Sequence, residues 1–299
     1  MRTPGPVERD LKIIDGPRAG IGRRLAIFVL MMLGAAVFVY PNAADWFSSR
    51  AHVAAIEGYR DDVEALVPHE RSARSERADN YNAHIQPGEL RDPFAITAEF
   101  ADSSQAADDY LHLLKTGSSE AIGRVRYDGV GIDLPIYPGT SEDVISKGAG
   151  HLHGTSLPIG GPSTHAVLTA HSGMPNARLF TPLHDAVVGD LFWVEVLGER
   201  RWYKVENIAV VDGDDLSELR VAEGQDEVTL FTCTPVGVNS HRLLIRGARI
   251  DAPTADVYSG PDEATLGFPW WAAGLLVIGA TLGFALFPYK RKEMGAQTL

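Results

Sequence analysis

Residues Val228 to Ile250, VTLFTCTPVGVNSHRLLIRGARI, form two apolar runs separated by turn residues. The first run is rich in β-forming residues and ends at Cys233, which is the only cysteine among the 299 residues. Proline, glycine and asparagine follow, and Arg242 then begins the second run. This pattern is typical of neighbouring antiparallel strands. We therefore expect the thiol and the guanidinium to face each other across the loop.

Similar runs continue through the second half of the chain. From Ala121 onward, segments rich in β-branched and aromatic residues alternate with turns that contain glycine or proline. Seven or more short strands with little helix between them favour a mainly β domain, built as one closed or nearly closed barrel of roughly 130 residues. The predicted strands are 122–127, 131–137, 165–170, 190–197, 201–211, 228–233 and 242–250.

Two charge-free apolar segments lie outside this region. Leu25 to Tyr40 follows two arginines, and Phe268 to Phe287 precedes three basic residues. The second has about the length that a helix needs to cross a bilayer, whereas the first is of marginal length and also fits the apolar part of a cleaved signal peptide. A clean cleavage site is not evident after Tyr40, although Ala43-Ala44 leaves cleavage open.

The flanking charges predict an orientation. Residues 1–24 carry six basic and three acidic side chains, and residues 288–299 carry three and one, so the positive-inside rule places both termini in the cytoplasm. Subtracting these from the totals of 27 and 39 leaves 18 basic and 35 acidic residues between the apolar segments, a net charge of −17. Such an acidic surface argues against nucleic-acid binding and fits an outward-facing ectodomain with basic partners.

The first part of the ectodomain has helical spacing. Apolar residues recur among charged ones from Ala44 to about Tyr81, and Pro68 interrupts the pattern, so we expect a helical stalk or side lobe. A short helix is also predicted from Asp102 to Lys115. The apolar positions of the first helix are Val53, Ile56, Tyr59, Val63 and Leu66.

A glycine-rich segment from Gly148 to Gly161 is expected to be a long loop. It lacks the GxxxxGK[ST] pattern and leads into no helix, so a phosphate cradle is not predicted. His151 and His153 could ligate a metal together, but no third ligand stands at a recognisable spacing. We therefore predict no metal site and no cofactor.

Three residues suggest nucleophilic chemistry. A thiolate attacks carbonyl carbons, a neighbouring imidazole holds and returns the proton, and an arginine donates hydrogen bonds to an oxyanion. Cys233, Arg242 and His171 each stand at a strand end beside a glycine-containing turn. The lone cysteine cannot form an internal disulfide, and the alternative is that it is a small apolar residue of the core.

The segments around these residues resemble the sortases, the membrane-bound cysteine transpeptidases of Gram-positive-type bacteria. TLFTC, ending at Cys233, is similar to the TLxTC motif of that family, Arg242 stands where the family has its arginine, and His171 in TAHSG matches the family histidine. The resemblance covers roughly residues 85–250. Further residues of these motifs, with a supporting role, are Thr169, Ala170, Thr232 and Thr234.

The resemblance implies both a fold and a reaction. The fold is a sortase-type closed β-barrel of about eight strands with short helices. The reaction begins with recognition of an LPxTG-like sorting signal, and Cys233 then attacks the bond between Thr and Gly. A thioester acyl-enzyme results, which an amine resolves without any cofactor.

Further segments resemble class C, the pilin-polymerising sortases. These are GTSLPIGG, TPVGVNSHRLLIRG, the C-terminal apolar segment and the loop Asp92-Pro93-Phe94. The class implies that this loop is a lid, in which Asp92 pairs with Arg242 and Phe94 shields Cys233. The acyl acceptor would be a lysine amine of a pilin subunit that itself bears an LPxTG-like signal. Val236 departs from the pattern, because many class C members have an aromatic residue there.

Two alternatives remain open: a wall-anchoring sortase that uses an amine of a cell-wall precursor, and a non-catalytic adhesion or scaffold ectodomain. The predicted organisation places an anchor or signal segment before the ectodomain and a second anchor after it. Its parts are a cytoplasmic N-terminus (1–24), a membrane helix (25–40), a helical stalk or side lobe (41–84), a lid loop (85–100), the catalytic barrel (101–252), a linker (253–267), a membrane helix (268–287) and a basic tail (288–299).

Overall fold

The computed structural model describes residues 17–85, 92, 94, 110, 112–213, 215–254 and 267–287. The chain divides into two compact units, one comprising residues 1–43 and 268–299 and the other residues 44–267. Most of the predicted lid loop and most of the predicted helix from Asp102 to Lys115 lie outside the described residues.

Eight strands form the second unit's closed barrel. They are β1 (Gly123–Tyr127), β2 (Ile132–Pro138), β3 (Ala149–His151), β4 (Thr164–Thr169), β5 (Leu191–Val196), β6 (Glu199–Asp212), β7 (Asp226–Thr234) and β8 (His241–Ile250). Their order around the barrel is β1-β2-β3-β4-β7-β8-β6-β5, and β5 pairs with β1. The pairs β2–β3 and β4–β7 are parallel and the others antiparallel. The predicted barrel is confirmed, and both ends of each of the seven predicted strands lie within two residues of the observed ends.

The prediction of an uninterrupted loop from Gly148 to Gly161 was wrong, because β3 lies in it. Strand β3 has the sequence Ala-Gly-His, which lacks the β-branched residues that usually indicate a strand. Glycine is required at position 150, since a Cβ there would lie 2.5 Å from the carbonyl oxygen of Gly139. The backbones therefore approach too closely for any other residue.

His151, at the end of β3, is fully buried and hydrogen-bonded at both ring nitrogens. Its Nε2 lies 2.8 Å from the carbonyl oxygen of Ser156, and its Nδ1 lies 2.6 Å from the hydroxyl of Tyr110. Burial lowers the pKa of His151 to about 4. Within the described ranges, no group of three or more His, Cys, Asp or Glu side chains is arranged to hold a metal ion.

Alternation along the strands separates two apolar clusters. Leu230 of β7 pairs with Leu168 of β4 and Ile245 of β8, and all three side chains lie on the same face of the sheet. They belong to the large core cluster that fills the barrel. Phe231, Val167 and other side chains of the opposite parity form a smaller cluster on the other face of the sheet. Both faces of β7 are therefore covered, and almost every residue of this strand is buried.

Helices account for most of the remaining described structure. They are α1 (Pro17–Glu64), α2 (Pro68–His84), α3 (Glu142–Ile145) and α4 (Trp270–Leu286), with short 3₁₀ turns at Asp128–Val130, Thr181–Asp185 and Ser217–Leu219. The predicted break at Pro68 is the start of α2. Proline is favoured in the first turn of a helix, because backbone N–H groups there have no intrahelical acceptor and the lack of one costs no hydrogen bond.

The C-terminal part of α1 packs on the barrel within the second unit. Ile56, Tyr59 and Val63, three of the five apolar positions predicted from helical spacing, are buried. The Tyr59 hydroxyl accepts a 2.8 Å hydrogen bond from the backbone N–H of Leu197, and Arg60 forms a bidentate ion pair with Glu195. Apolar packing and charge-assisted hydrogen bonds thus hold this helical segment on β5 and its turn.

The first unit consists of the N-terminal part of α1 together with α4. By length and composition, α1 from Gly20 onward could cross a membrane, and large apolar side chains such as Phe38 are exposed along it. Helix α4 is also apolar but has 17 residues. The rings of Phe28 and Phe287 meet edge to face, with their centroids 6.4 Å apart, and Arg24 donates a hydrogen bond to the carbonyl oxygen of Leu286.

We expect Leu230→Ala to lower the free energy of unfolding by about 2 to 5 kcal/mol, because it leaves a cavity at the centre of the barrel core. Urea unfolding in detergent, followed by tryptophan fluorescence, would measure the change. Val210→Ala on β6 is the matched control, since this side chain is 60% exposed and its truncation should change stability by less than about 0.5 kcal/mol. Equal losses in the two variants would contradict the assigned core.

Candidate active site

Three adjacent strands bring together the ends that carry the predicted catalytic residues. Cys233 is the direct partner of Arg242 in the antiparallel pairing of β7 with β8. In the parallel pairing of β4 with β7, Thr169 is opposite Phe231, so His171 and Cys233 each follow that pair by two residues. The expectation that thiol and guanidinium stand across the loop from each other is confirmed at the level of strand register.

The three residues also lie on the same face of the sheet. Side chains an even number of positions apart on a strand lie on the same face. By this rule Cys233 shares the face of Phe231, Arg242 that of Leu244, and His171, just beyond β4, that of Val167; these three partners belong to the smaller apolar cluster. This is the face opposite the barrel interior. The site is thus built on the outside of the barrel, above the smaller apolar cluster.

Hydroxyl groups fix the strand ends on which these residues stand. Ser172 Oγ donates a 2.7 Å hydrogen bond to the carbonyl oxygen of Cys233, and Thr232 Oγ1 donates one of 2.8 Å to the carbonyl oxygen of Ala170. Both bonds are buried and join the chain after β4 to the end of β7. The backbone around Cys233 is therefore held independently of any contact made by its thiol.

The Cys233 thiol is held in its neutral form. Its residue is 4% exposed. Burial raises the pKa of Cys233 to about 11; the Arg242 guanidinium lowers this pKa and the Asp92 carboxylate raises it. At neutral pH the nucleophilic thiolate is therefore a very small fraction in this conformation.

Arg242 makes two separate sets of contacts. Its Nη1 donates 3.0 Å hydrogen bonds to the backbone carbonyl oxygens of Asn239 and His241. Its Nε donates a 3.0 Å hydrogen bond and its Nη2 a 2.5 Å hydrogen bond to the carboxylate of Asp92. Both side chains of this ion pair are about nine-tenths buried. Burial lowers the pKa of Arg242, but its hydrogen bonds to Asp92 and the charges of ionised Cys233 and Asp92 together outweigh this effect, so the net pKa is raised.

Phe94 packs over the same group of side chains. Its ring stacks on Phe231 with a centroid separation of 5.7 Å, lies 5.5 Å from the ring of His171, and has the Arg242 guanidinium 5.4 Å from its centroid. The backbone N–H of Phe94 also donates to Asp92. Asp92 and Phe94 thus cover the site together, whereas Pro93 lies outside the described residues.

His171 is bonded to a residue that sequence reasoning did not identify. Its Nε2 lies 3.0 Å from each carboxylate oxygen of Glu142, the first residue of α3. Ser172 was missed as well, although it stands beside His171 in the sequence. Glu142 is 29 residues away from His171, and nothing in the local pattern around it pointed to this contact.

The remaining predicted motif residues have structural positions close to the site. Ala170 is fully buried, and Thr234 Oγ1 lies 3.2 Å from Nε2 of His184. Thr169 is fully buried on the face that carries His171, and in the described part of the chain its hydroxyl has no hydrogen-bond partner. These residues are thus neighbours in sequence of His171 and Cys233, and Ala170 belongs to the barrel core.

Comparison with known proteins agrees with this geometry. Residues 125–250 match the family model described as the Sortase domain. Sortase C1 of Streptococcus agalactiae is 43% identical, and the match covers 68% of this chain and 98% of the S. agalactiae chain with a TM-score of 0.61. The chain belongs to the sortase family. It is thus a cysteine transpeptidase, and the non-catalytic alternative is excluded.

Other sortases extend the comparison. Sortase C of Streptococcus pneumoniae is 40% identical, with 66% of this chain and 98% of the other covered and a TM-score of 0.59. Sortase A of Bacillus anthracis is 26% identical over 152 residues, which are 50% of this chain and 70% of that protein. The resemblance to class C is confirmed, since class C structures match this sortase at about 40% identity over nearly their whole length.

We expect Asp92→Asn combined with Phe94→Ala to increase the alkylation rate of Cys233 at neutral pH and to lower the pH midpoint of the reaction. Both burial and the Asp92 charge raise the pKa of Cys233, so removing them shifts ionisation below pH 11. Iodoacetamide labelling of the full chain from pH 6 to 11, followed by mass spectrometry, would measure this. The matched control is Asp212→Asn, an exposed acid beside His241. An unchanged midpoint in the double variant would contradict the covering role.

Proposed function

We propose that this sortase is a membrane-anchored class C enzyme that joins pilin subunits. In this proposal Cys233 is the nucleophile, His171 the proton carrier, and Arg242 the donor to the oxyanion or substrate carbonyls. The substrate is an LPxTG-like sorting signal, cleaved between Thr and Gly. The observation that carries the proposal is the seating of Asp92 and Phe94 on Arg242 and His171, where they act as the predicted lid.

The first half-reaction follows from the chemistry of the three side chains. His171 accepts the proton of the Cys233 thiol, the resulting thiolate adds to the carbonyl carbon of the Thr residue, and Arg242 stabilises the negative charge that develops on the carbonyl oxygen. The C–N bond to Gly then breaks while His171 donates its proton to the departing amine. The products are a thioester on Cys233 and a free amino group on the released Gly peptide.

The second half-reaction reverses the direction of proton transfer. A lysine amine of another pilin subunit attacks the thioester carbonyl, and His171 accepts a proton from this nucleophile. The C–S bond breaks, an isopeptide bond forms, and Cys233 leaves as a thiolate that can begin a new cycle. Water must not replace the amine during this time, so the acyl-enzyme benefits from a covered site.

The contacts of Arg242 explain how the lid restrains the enzyme. Asp92 occupies the Nε and Nη2 donors, whereas Nη1 is held by the backbone carbonyl oxygens of Asn239 and His241. When the lid leaves, the backbone contacts keep the guanidinium in place and the two vacated donors point to a substrate oxygen. Lid opening thus prepares the site without rebuilding it.

Relatives support pilins as the substrate class. A similar sortase C of Group B Streptococcus is pilus-related, and the sortase C of S. pneumoniae has pilin substrate specificity. The acidic ectodomain also suits a basic acceptor such as lysine, because complementary charge favours encounter. Val236 remains a departure from many class C members; it is half exposed and lies against Gly173 in the structure.

The same proposal places the enzyme in the cell membrane. Helix α1 contains the predicted segment Leu25 to Tyr40, and the apolar helix α4 lies within the second segment. Both termini would be cytoplasmic and the catalytic barrel would face outward, as the flanking charges predict. The domain boundaries predicted from the sequence are retained in this proposal.

We expect Cys233→Ala to abolish thioester formation with an LPxTG-like peptide, because no other thiol exists in the chain. Intact-mass spectrometry of the full enzyme in detergent would detect the acyl adduct. The same variant should not produce pilin polymer ladders in cells that lack other sortases. Continued laddering in such cells would refute the assignment of Cys233.

The acyl acceptor separates this proposal from a wall-anchoring sortase. We expect the purified enzyme to transfer the LPxTG-derived acyl group to a peptide carrying a pilin lysine at least about tenfold faster than to a cell-wall peptide mimic. Competition between the two amines in one reaction, analysed by mass spectrometry, gives the ratio directly. Preference for the cell-wall amine would contradict pilin polymerisation and support the wall-anchoring function instead.

A further inference from the structure

His171 is held by the short helix α3 through two separate contacts. The Nε2 atom of its ring lies 3.0 Å from both carboxylate oxygens of Glu142, and its backbone N–H donates a 3.3 Å hydrogen bond to the carbonyl oxygen of Ile145. Glu142 and Ile145 are the first and last residues of this helix. One four-residue turn therefore restrains both the backbone and the imidazole of His171.

The contact with Glu142 determines which ring nitrogen carries hydrogen. An ionised carboxylate only accepts hydrogen bonds, so Nε2 must be the donor. In the neutral imidazole the lone pair then resides on Nδ1. A carboxylate on Nε2 thus leaves Nδ1 as the nitrogen that takes a proton from a thiol and returns it to an amine.

We propose that Glu142 is a positioning residue for catalysis: it fixes the tautomer and the orientation of His171 so that Nδ1 exchanges protons with Cys233 and the departing amine. This inference rests on the role of His171 in the proposed function. The arrangement completes a Cys–His–carboxylate set, in which the third group orients the base without touching the substrate. Phe94 restrains the ring from another side only while it covers the site, whereas Glu142 belongs to the barrel domain and remains when the lid leaves.

Solvent exposure limits the size of the expected effect. The Glu142 side chain is 74% exposed and that of His171 is 22% exposed. Water weakens an ion pair in such a position, and exposed pairs of this kind change equilibria by up to about fivefold. We therefore expect Glu142→Ala to lower kcat for thioester formation about fivefold with little change in KM, because the proposed role of this side chain is to orient His171 and not to bind substrate.

Two further variants separate orientation from charge. Glu142→Gln keeps an oxygen that accepts a hydrogen bond and should retain at least about half of the wild-type kcat. Asp143→Asn removes the same charge from the next, exposed residue of α3 and should behave as wild type. Wild-type or higher kcat in Glu142→Ala, equal losses in the Gln and Ala variants, or an equal loss in Asp143→Asn would overturn the proposal.

A spectroscopic measurement tests the tautomer directly. In the full chain with ¹⁵N-labelled histidine, assigned by comparison with His171→Gln, we expect the neutral ring of His171 to carry hydrogen on Nε2. Glu142→Ala should shift this signal towards a mixture of tautomers, whereas Asp143→Asn should not. A neutral ring protonated on Nδ1 in the wild type would overturn the proposal.

The spectra test the positioning role of Glu142 and the kinetics test the proposed substrate, so each hypothesis can be refuted without the other. A wild-type enzyme that forms no thioester with LPxTG-like peptides, but shows the expected tautomer and its dependence on Glu142, would refute the proposed substrate and leave the positioning contact established. An active enzyme with the other tautomer would refute the positioning role alone.

Discussion

Strict alternation of side chains along β4, β7 and β8 is the constraint on which both the core and the site depend. On one face of these strands Leu168, Leu230 and Ile245 fill the barrel interior, and the opposite face carries Cys233 and Arg242. A shift of register by one residue would turn the thiol into the core and a leucine towards the substrate. The same pairing that stabilises the barrel therefore specifies the active-site geometry, and the buried hydroxyl bonds from Ser172 and Thr232 lock the strand ends in this register.

In the proposed function, the pairing of Asp92 with Arg242 makes the lid a tethered competitor for the substrate. Because lid and site are parts of one chain, their encounter is intramolecular and its effective concentration does not depend on the amount of enzyme. The apparent affinity for a sorting signal is reduced by the fraction of molecules that are open. With the proposed membrane anchoring, a substrate at high local density on the same membrane overcomes this reduction, whereas a dilute peptide in solution does not. Such an enzyme is selective for concentrated substrates even without additional recognition contacts.

Much of the barrel was predictable because its strands are long, rich in β-branched residues and bounded by turns. Strand β3 was not, since three residues that include a glycine carry no periodic signal, and only the close approach to Gly139 explains them. The positions of Cys233 and Arg242 followed from local sequence, because one hairpin joins them. The contacts of Asp92 with Arg242 and of Glu142 with His171 span 150 and 29 residues, so they depend on the closed fold. The first was expected only from the family resemblance, and the second carried no sequence signal.

The raised pKa of Cys233 also has a consequence for the chemical survival of the enzyme. With a pKa of about 11, only about one thiol in ten thousand is ionised at pH 7 while the site is covered. Oxidants attack the thiolate, and on the proposed outer side of the membrane no glutathione pool reduces the products. The chain has no second cysteine to form a protective disulfide. In the proposed location at the cell surface, a protonated nucleophile preserves the enzyme until its substrate arrives, and oxidative damage should accumulate in proportion to the time that the proposed lid spends open.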